Sequence, residues 1–353
     1  MQKVRKGEEL KEDTLKEFLF QKNIINNQDS ELNVVQFPGG FSNLTYAIKI
    51  EGKEYVLRRP PFGAIKRGHD MGREFKVLSK LNPVFSKAPK TYVYTENEEV
   101  LGAPFYMMEK VEGRIIRPHN VSDLNVSEND FKVIAEAWLD TFVEFHNIDY
   151  KTVGLEDLGR PEGYIERQVT NWGKQYLKAK TDEIPYVESL MSWLEANQPK
   201  TYKHTLIHND YKYDNIVYDQ NDWSKVVAIL DWEMCTLGDP LMDLGMSLAY
   251  WFTKDDPEFL TKGLPMTTAA PGNPSRMEVV ERYEKKSGMK INHLVFYYAF
   301  GLFKLSVIVQ QIYYRYHKGY TQDKRFAKLN LATMAFVTNA WQAVQKNRIV
   351  DLF

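Results

Sequence analysis

The stretch His208-Asn209-Asp210-Tyr211-Lys212-Tyr213-Asp214-Asn215, followed by the strand-like run Val226-Val227-Ala228-Ile229-Leu230-Asp231, decides how this chain is read. A His-x-Asp-x-x-x-x-Asn segment with a second aspartate closing an apolar run supplies the side chains that phosphoryl transfer from ATP requires. Asp210 suits a catalytic base that accepts a hydrogen bond from an attacking hydroxyl and takes its proton late in the transfer. Asn215 and Asp231 offer the hard oxygen ligands that Mg2+ prefers. Lys212, two residues past the base, is a cation for the charge that builds on the transferred group. His208 completes the catalytic set and is expected to brace the loop rather than perform chemistry. The plainer alternative is a polar turn with a capping Asp and an exposed Asn, and it gives the second aspartate no part to play.

Upstream, Phe37-Pro38-Gly39-Gly40-Phe41-Ser42-Asn43 falls between two strand-like pieces. Gly40 lets backbone N–H groups approach a phosphate, and Ser42 and Asn43 add donors; a Gly-Gly pair between strands also serves as an ordinary turn. Arg58 ends Tyr55-Val56-Leu57-Arg58, where the Val-Ala-Ile-Lys strand of protein kinases carries its lysine. Glu74, on the following helix, is its expected partner. An arginine keeps the sign of that lysine but grips phosphate in a fork. Downstream, Asp239 with Pro240 behind it reads as a helix cap, and Asp239 and Asp243 together as braces for the catalytic loop. Glu233 is expected behind the metal ligands, and Cys235 as small buried filler.

The pattern of apolar residues divides the chain. A leading amphipathic helix is expected over Glu8 to Ile25. Strands follow over Leu32 to Phe37, Leu44 to Ile50 and Glu54 to Arg58, with a hairpin turn at Glu51-Gly52. A helix over Arg73 to Leu81 precedes strands at Thr91 to Thr95 and Phe105 to Met108. Helices then dominate: Phe131 to His146, Tyr164 to Ala179, Tyr186 to Asn197, and most of the chain from Asp243 onward, apart from a loop between Gly263 and Pro274. The catalytic segment lies between short apolar runs at Thr205 to His208 and Ile216 to Tyr218. A β-rich front and a helical back make an α+β protein. We place the division at a hinge near Met108 to Gly113, separating residues 1–110 from 111–353.

Composition narrows the partners. The 353 residues are 43% hydrophobic and 26% charged, with a net charge of −1. Nothing in that balance recommends nucleic acid or a membrane surface. The single cysteine has no disulfide partner within the chain, which fits a reducing, cytoplasmic setting. The charged N-terminus lacks the apolar core of a signal peptide. The most apolar stretch, Leu294 to Phe303, is interrupted by Lys304, short of the roughly 20 residues a span needs.

On Leu206-Ile207-His208-Asn209-Asp210, Ile229-Leu230-Asp231-Trp232-Glu233, Thr236-Leu237-Gly238-Asp239-Pro240 and Tyr55-Val56-Leu57-Arg58-Arg59-Pro60-Pro61, the chain resembles the aminoglycoside phosphotransferase family. It is most similar there to the kinase domains fused to some acyl-CoA dehydrogenases. The resemblance runs from about Val34 to Phe336 and implies a protein-kinase-like two-lobe fold: a small antiparallel-sheet N-lobe and a larger, mostly helical C-lobe. It also implies ATP bound between the lobes with adenine at the backbone near Glu109 to Val111, Asp210 as base, and Asn215 and Asp231 on Mg2+. Asn209 stands where such proteins commonly carry Gly, which requires its side chain to point outward. Arg58 stands in place of the usual lysine.

The acceptor is expected to be a small molecule with a hydroxyl group. Residues 281–353 carry twelve Lys/Arg against four Asp/Glu, a balance that repels a polycationic aminoglycoside and draws an acidic compound. The resemblance points the same way, to a hydroxy acid or its CoA thioester. Lys304, alone in an apolar helix, is either an anion-binding residue of the acceptor pocket or a side chain that snorkels to solvent. The competing readings are a catalytically silent nucleotide-binding scaffold, an aminoglycoside or sugar kinase, and a protein kinase. The last is disfavoured because no Ala-Pro-Glu segment follows Asp231. A metal hydrolase built on His204, His208 and Asp210 would need further ligands.

Overall fold

A computed structural model of the chain describes residues 3–37, 43–61, 70–261 and 266–353. Gly40 and Ser42 lie outside the described residues. The chain forms two compact units. One comprises residues 1–113 together with 153–155 and 227–235, and the other comprises 114–152, 156–226 and 236–353. The straight division after residue 110 therefore needs amending, because two later segments pack with the first unit. Two hydrogen bonds show why for the second of them: Ile229 N–H donates to Lys87 O at 2.8 Å and Arg73 Nη2 donates to Cys235 O at 2.9 Å.

In the first unit α1 (Glu12–Gln21) precedes β1 (Asn33–Gln36), β2 (Leu44–Ile50) and β3 (Lys53–Arg59). Next come α2 (Met71–Leu81), β4 (Thr91–Thr95), α3 (Glu98–Leu101) and β5 (Phe105–Glu109). The sheet is antiparallel in the order β1-β2-β3-β5-β4. The β2–β3 hairpin turns at Glu51 and Gly52, both at positive φ (49° and 75°). That is the conformation a two-residue hairpin needs to follow the strand twist. Glu51 is held in this unusual state by its own carboxylate, which accepts the Asn26 and Asn27 amides at 2.8 Å.

Alternation along the strands sorts the side chains. Tyr46, Ile48, Ile50, Tyr55, Leu57, Phe105 and Met107 form a core with Leu15, Phe18 and Leu19 of α1. Residues of the other parity, Val56 and Arg58, therefore face the opposite side. Arg58 is paired in register with Tyr106, and α2 covers this side with Phe75 against Tyr106. The leading helix is shorter than Glu8 to Ile25. At one end Glu8 bonds Gln36 and Arg5, and at the other Asn23 turns to φ 55°.

The second unit is mostly helical. It contains α4 (Glu128–His146), α5 (Tyr164–Ala179), α6 (Val187–Ala196), β6 (Thr205–Ile207) and β7 (Ile216–Tyr218). β8 (Val226–Ile229) leads back into the first unit. β9 (Thr236–Gly238) pairs antiparallel with β6, a strand that the sequence pattern does not announce. Then come α7 (Pro240–Tyr250), α8 (Glu258–Thr261), α9 (Arg276–Ser287), α10 (Leu294–His317) and α11 (Leu329–Lys346). Ser127 with Asp130 and Ser275 with Glu278 form reciprocal caps that start α4 and α9.

The apolar run at Leu294 does not stop at Lys304, because α10 continues for 24 residues. It is long and apolar enough to cross a membrane, yet 72% of its most apolar window is buried within the protein. Its packing on α7 is unusually close. A Cβ on Gly245 would lie 2.3 Å from Tyr297 O, and one on Gly301 would lie 2.3 Å from Gly245 O. The two backbones touch, and this fixes α7 and α10 relative to each other.

Candidate active site

The catalytic segment leaves β6 at Ile207 and enters the left-handed region at Asn209, φ 68°. Gly is the cheapest residue there and Asn the next most tolerated, so the substitution of the commoner Gly has a simple backbone reason. Two successive amides of this turn point at one carboxylate: Asp243 accepts His208 N–H at 2.5 Å and Asn209 N–H at 2.7 Å. Asp243 also meets His146 Nε2 at 3.2 Å, and His146 Nδ1 lies 2.7 Å from Tyr283 Oη. Burial pushes the Asp243 carboxyl up, but the bonds from His146 and the His208 amide outweigh it and hold the group below the usual aspartate value. Burial depresses the His146 pKa against the pull of Asp243. The bracing expected of Asp243 is found. Asp239 caps α7 through Leu241 N–H and also accepts the Tyr297 hydroxyl at 2.8 Å.

The next residues present their polar ends. Tyr211 is buried and stacked on Phe142 with ring centroids 4.1 Å apart, its hydroxyl on Trp138 O. Ser247 of α7 ties down Tyr211 O. These contacts leave Asp210 between two anchored neighbours, with its carboxylate partly exposed. Lys212 Nζ lies 3.0 Å from Asp210 Oδ1 and 2.9 Å from Oδ2. Asn215 Nδ2 donates to both the carbonyl and Oδ2 of Asp210 at 2.9 Å. The structure thus brings Asp210, Lys212 and Asn215 together, with buried His208 bracing the turn through its backbone.

In the first unit, Arg58 Nη1 lies 2.5 Å from Glu74 Oε1. Arg58 Nη2 reaches Asp231 Oδ1 at 3.2 Å and Glu233 Oε2 at 3.4 Å. The pairing of Arg58 with Glu74 expected from sequence is present, and one guanidinium serves three carboxylates. Burial opposes the Arg58 charge, but Glu74, Asp231 and Glu233 outweigh it and raise its pKa well above the usual value. Asn43 Nδ2 donates to Glu233 Oε2 at 2.8 Å, so Glu233 and Asn43 hold each other. Asp231 has φ 65°, a turn that re-aims the chain as it leaves β8. At the end of the sheet, Glu109 N–H is already engaged with Lys90 O and its carboxylate with Lys90 N–H. The Glu109 amide is therefore committed within the unit; Val111 follows it in the chain.

The donor atoms suit magnesium. Because Asn215 spends its NH2 group on Asp210, its remaining polar atom is the oxygen Oδ1, and Asp231 contributes a carboxylate. Among the described residues, no three His, Cys, Asp or Glu side chains cluster to hold a metal, which removes the support for a hydrolase built on His204, His208 and Asp210.

Lys304 departs from the expectation of a side chain that reaches solvent. It is 3% exposed and does not snorkel. Its ammonium lies 3.2 Å from Asn209 Oδ1 and 3.4 Å from Asn209 O, over the Trp172 ring. Tyr164 Oη donates to the same Oδ1 at 3.2 Å. The Asn209 side chain is therefore tied inside the unit, not directed outward. Burial lowers Lys304 to about 8, with Asp243 and Asp210 opposing the drop. Part of the basic excess of residues 281–353 is also already neutralised, because Arg282 and Lys286 pair with Glu136 outside that segment. Tyr164, His146 and Tyr283 belong to the support of the loop and carried no signal in the sequence, since each lies more than thirty residues from its partner.

The model of the phosphotransferase enzyme family matches residues 33–271. Acyl-CoA dehydrogenase family member 11 of Rattus norvegicus is 34% identical over 293 residues, covering 82% of this chain and 37% of that protein. The chain thus spans little more than a third of the length of this curated relative. A Ralstonia eutropha JMP134 protein, taken to be an aminoglycoside phosphotransferase, has a solved structure that is 29% identical. It superposes with a TM-score of 0.82, covering 96% of this chain and 99% of that one. Aminoglycoside 2'-phosphotransferase-IIIa in its GDP complex aligns at 15% identity and TM-score 0.58, over 93% of this chain and 98% of that one. At that identity the likeness shows the fold, a small antiparallel sheet followed by a helical part, as in kinases.

Proposed function

This chain belongs to the phosphotransferase enzyme family, and from that premise we propose an ATP- and magnesium-dependent small-molecule kinase whose acceptor is a hydroxyl of a small acidic metabolite, a hydroxy acid or a hydroxyacyl-CoA. The observation that carries the reading is the Asp210 carboxylate. It is held by Lys212 and Asn215 on a turn whose amides are clamped by Asp243. In this reading the acceptor hydroxyl donates to Asp210 and its oxygen attacks the terminal phosphorus. The bond to the leaving ADP oxygen breaks, and the hydroxyl proton passes to Asp210 as the new bond forms. Lys212, beside that carboxylate, offsets negative charge on the group in transfer. Arg58, held charged by Glu74, serves the nucleotide phosphates. Gly40, Ser42, Asn43 and the backbone at Glu109 and Val111 are assigned to the nucleotide by family resemblance. Asn215 Oδ1 and Asp231 would hold magnesium, which when bound supplies positive charge to the phosphate oxygens.

The acidic acceptor rests on two supports: the basic balance of residues 281–353 and the name of the acyl-CoA dehydrogenase relative. A cytoplasmic setting, with neither nucleic acid nor membrane as partner, belongs to the same proposal and rests on the net charge of −1 and the single cysteine. The test is ADP release against a panel of hydroxy acids, hydroxyacyl-CoAs, choline and kanamycin-like amines. Turnover is expected with the acidic compounds, and Asp210→Ala should lower it about 10³-fold while nucleotide binding persists. Preference for the amines would replace the acceptor assignment with a sugar or aminoglycoside kinase. Nucleotide binding without magnesium-dependent turnover on any acceptor would favour a scaffold.

A further inference from the structure

We propose that Lys304 is a positioning residue for phosphoryl transfer: it acts through Asn209 to hold the Asp210 carboxylate in its working orientation, an inference that rests on Asp210 being the base. Lys304 lies inside α10, where an apolar side chain would pack without the penalty of burying a charge. Its partners are the backbone carbonyl and side-chain oxygen of a single residue, Asn209. That residue immediately precedes Asp210, so rotation of its peptide plane swings the base.

Three polar atoms of Asn209 are restrained. Its N–H is held by Asp243 of α7, its carbonyl by Lys304 of α10, and its Oδ1 by Lys304 and by Tyr164 of α5. A turn that needed only a left-handed residue would be served at least as well by Gly. Asn adds the oxygen on which Lys304 and Tyr164 converge, so Lys304 and Asn209 work as one device. The frame behind them is rigid, because α7 and α10 meet backbone to backbone at Gly245 and Gly301. Lys304 does not reach out to a ligand in this arrangement. It binds the loop from beneath and places its charge in the field of Asp210 and Asp243.

The experiment compares wild type, Lys304→Met, Asn209→Gly and the double variant by crystal structure and by steady-state kinetics on the best acceptor. In Lys304→Met the 2.9 Å contact between Asn215 Nδ2 and Asp210 Oδ2 is expected to open. The same variant should lose roughly 10–100-fold in kcat, with KM for ATP and acceptor changing less than about threefold. The double variant should be no slower than the slower single one, because both substitutions break one device. An unmoved Asp210 in Lys304→Met with unchanged kcat would overturn the proposal. A rise confined to the acceptor KM would overturn it in favour of direct acceptor binding. Should Lys304→Met fail to fold, Asn209→Gly carries the same two readouts with α10 untouched. Should wild type prove inactive on every acceptor, the kinase reading fails by itself, and the position of Asp210 in the variant structures still decides what Lys304 does.

Discussion

The two compact units hold their functional carboxylates by opposite means. In the first, charged side chains hold one another: Arg58 answers Glu74, Asp231 and Glu233. In the second, the loop is held through its backbone: Asp243 takes two consecutive amides and Lys304 a carbonyl. The first arrangement gathers three carboxylates on one guanidinium, and its geometry can shift as those partners share it. The second fixes the turn that carries Asp210 and leaves it little freedom. A charge network adapts, whereas a clamp on peptide groups specifies.

That contrast can be broken at its strongest point. Asp243→Ala removes the acceptor for two buried amides and the partner of His146, and should destabilise the second unit by about 4 kcal/mol. Asp243→Asn keeps one amide acceptor and should recover part of the loss. Chemical unfolding followed by tryptophan fluorescence reads both, since Trp138 and Trp251 lie against the loop residues Tyr211 and Tyr213. In the first unit, Arg58→Met leaves Glu74, 1% exposed, buried without its cation, at a cost of about 3 kcal/mol. Arg58→Met together with Glu74→Leu should recover most of that stability but none of the activity. If it recovers both, the guanidinium has no role with the nucleotide and the comparison fails on the side of the charge network.

Much of this was legible in the sequence, and what was missed was missed for physical reasons. β2, β4, β7, the Glu51-Gly52 turn and α5 were readable from local alternation, turn chemistry and helical spacing, because each is specified by its own residues. β9 was not, since Thr236 to Gly238 is a strand only by virtue of pairing with β6 about thirty residues earlier. The ion pair of Arg58 with Glu74 was legible from the likeness of Tyr55-Val56-Leu57-Arg58 to the lysine-bearing strand of protein kinases, whose partner sits on the following helix. Lys304 was not. Its neighbours in sequence are apolar and its partner lies 95 residues away, so local pattern offered only a solvent-reaching cation or a pocket residue. Asn209 was visible as a departure from Gly, but its direction is set by Lys304 and Tyr164, which sequence spacing does not connect to it.

Asp239 and Asp243 sharpen the comparison within one helix. Both are buried at the start of α7, yet burial raises Asp239 to about 6 with only Leu241 N–H and Tyr297 opposing, whereas Asp243 is held below its usual value. For Asp239 the folded pKa lies above the unfolded one, so the native state binds the proton more tightly. Its contribution to stability is therefore greatest below pH 4 and is lost as pH rises toward 6, to a total of about 3 kcal/mol. Asp239→Asn keeps the cap and should remove that slope. His146, depressed by burial, contributes with the opposite sign, losing stability as pH falls through the unfolded histidine range. The difference between variant and wild-type urea midpoints from pH 4 to 7 isolates Asp239.

The smallest effect tests whether the clamp depends on its frame. Gly245→Ala places a methyl group 2.3 Å from Tyr297 O, so α7 and α10 must part by roughly 0.7 Å or more to bring that contact to 3.0 Å. The expected cost is about 2 kcal/mol. The more telling readout is kinetic, because Asp243 lies two residues before Gly245 and Lys304 three residues after Gly301, and both end on Asn209. Spreading the helices should therefore pull the two restraints on that residue apart and lower kcat, whereas an alanine at Gly319, which meets open space and carries only the strain of φ 77°, should lower stability alone. If Gly245→Ala unfolds earlier but turns over at the wild-type rate, the turn tolerates movement of its supports. The backbone clamp would then be no more specifying than the network around Arg58.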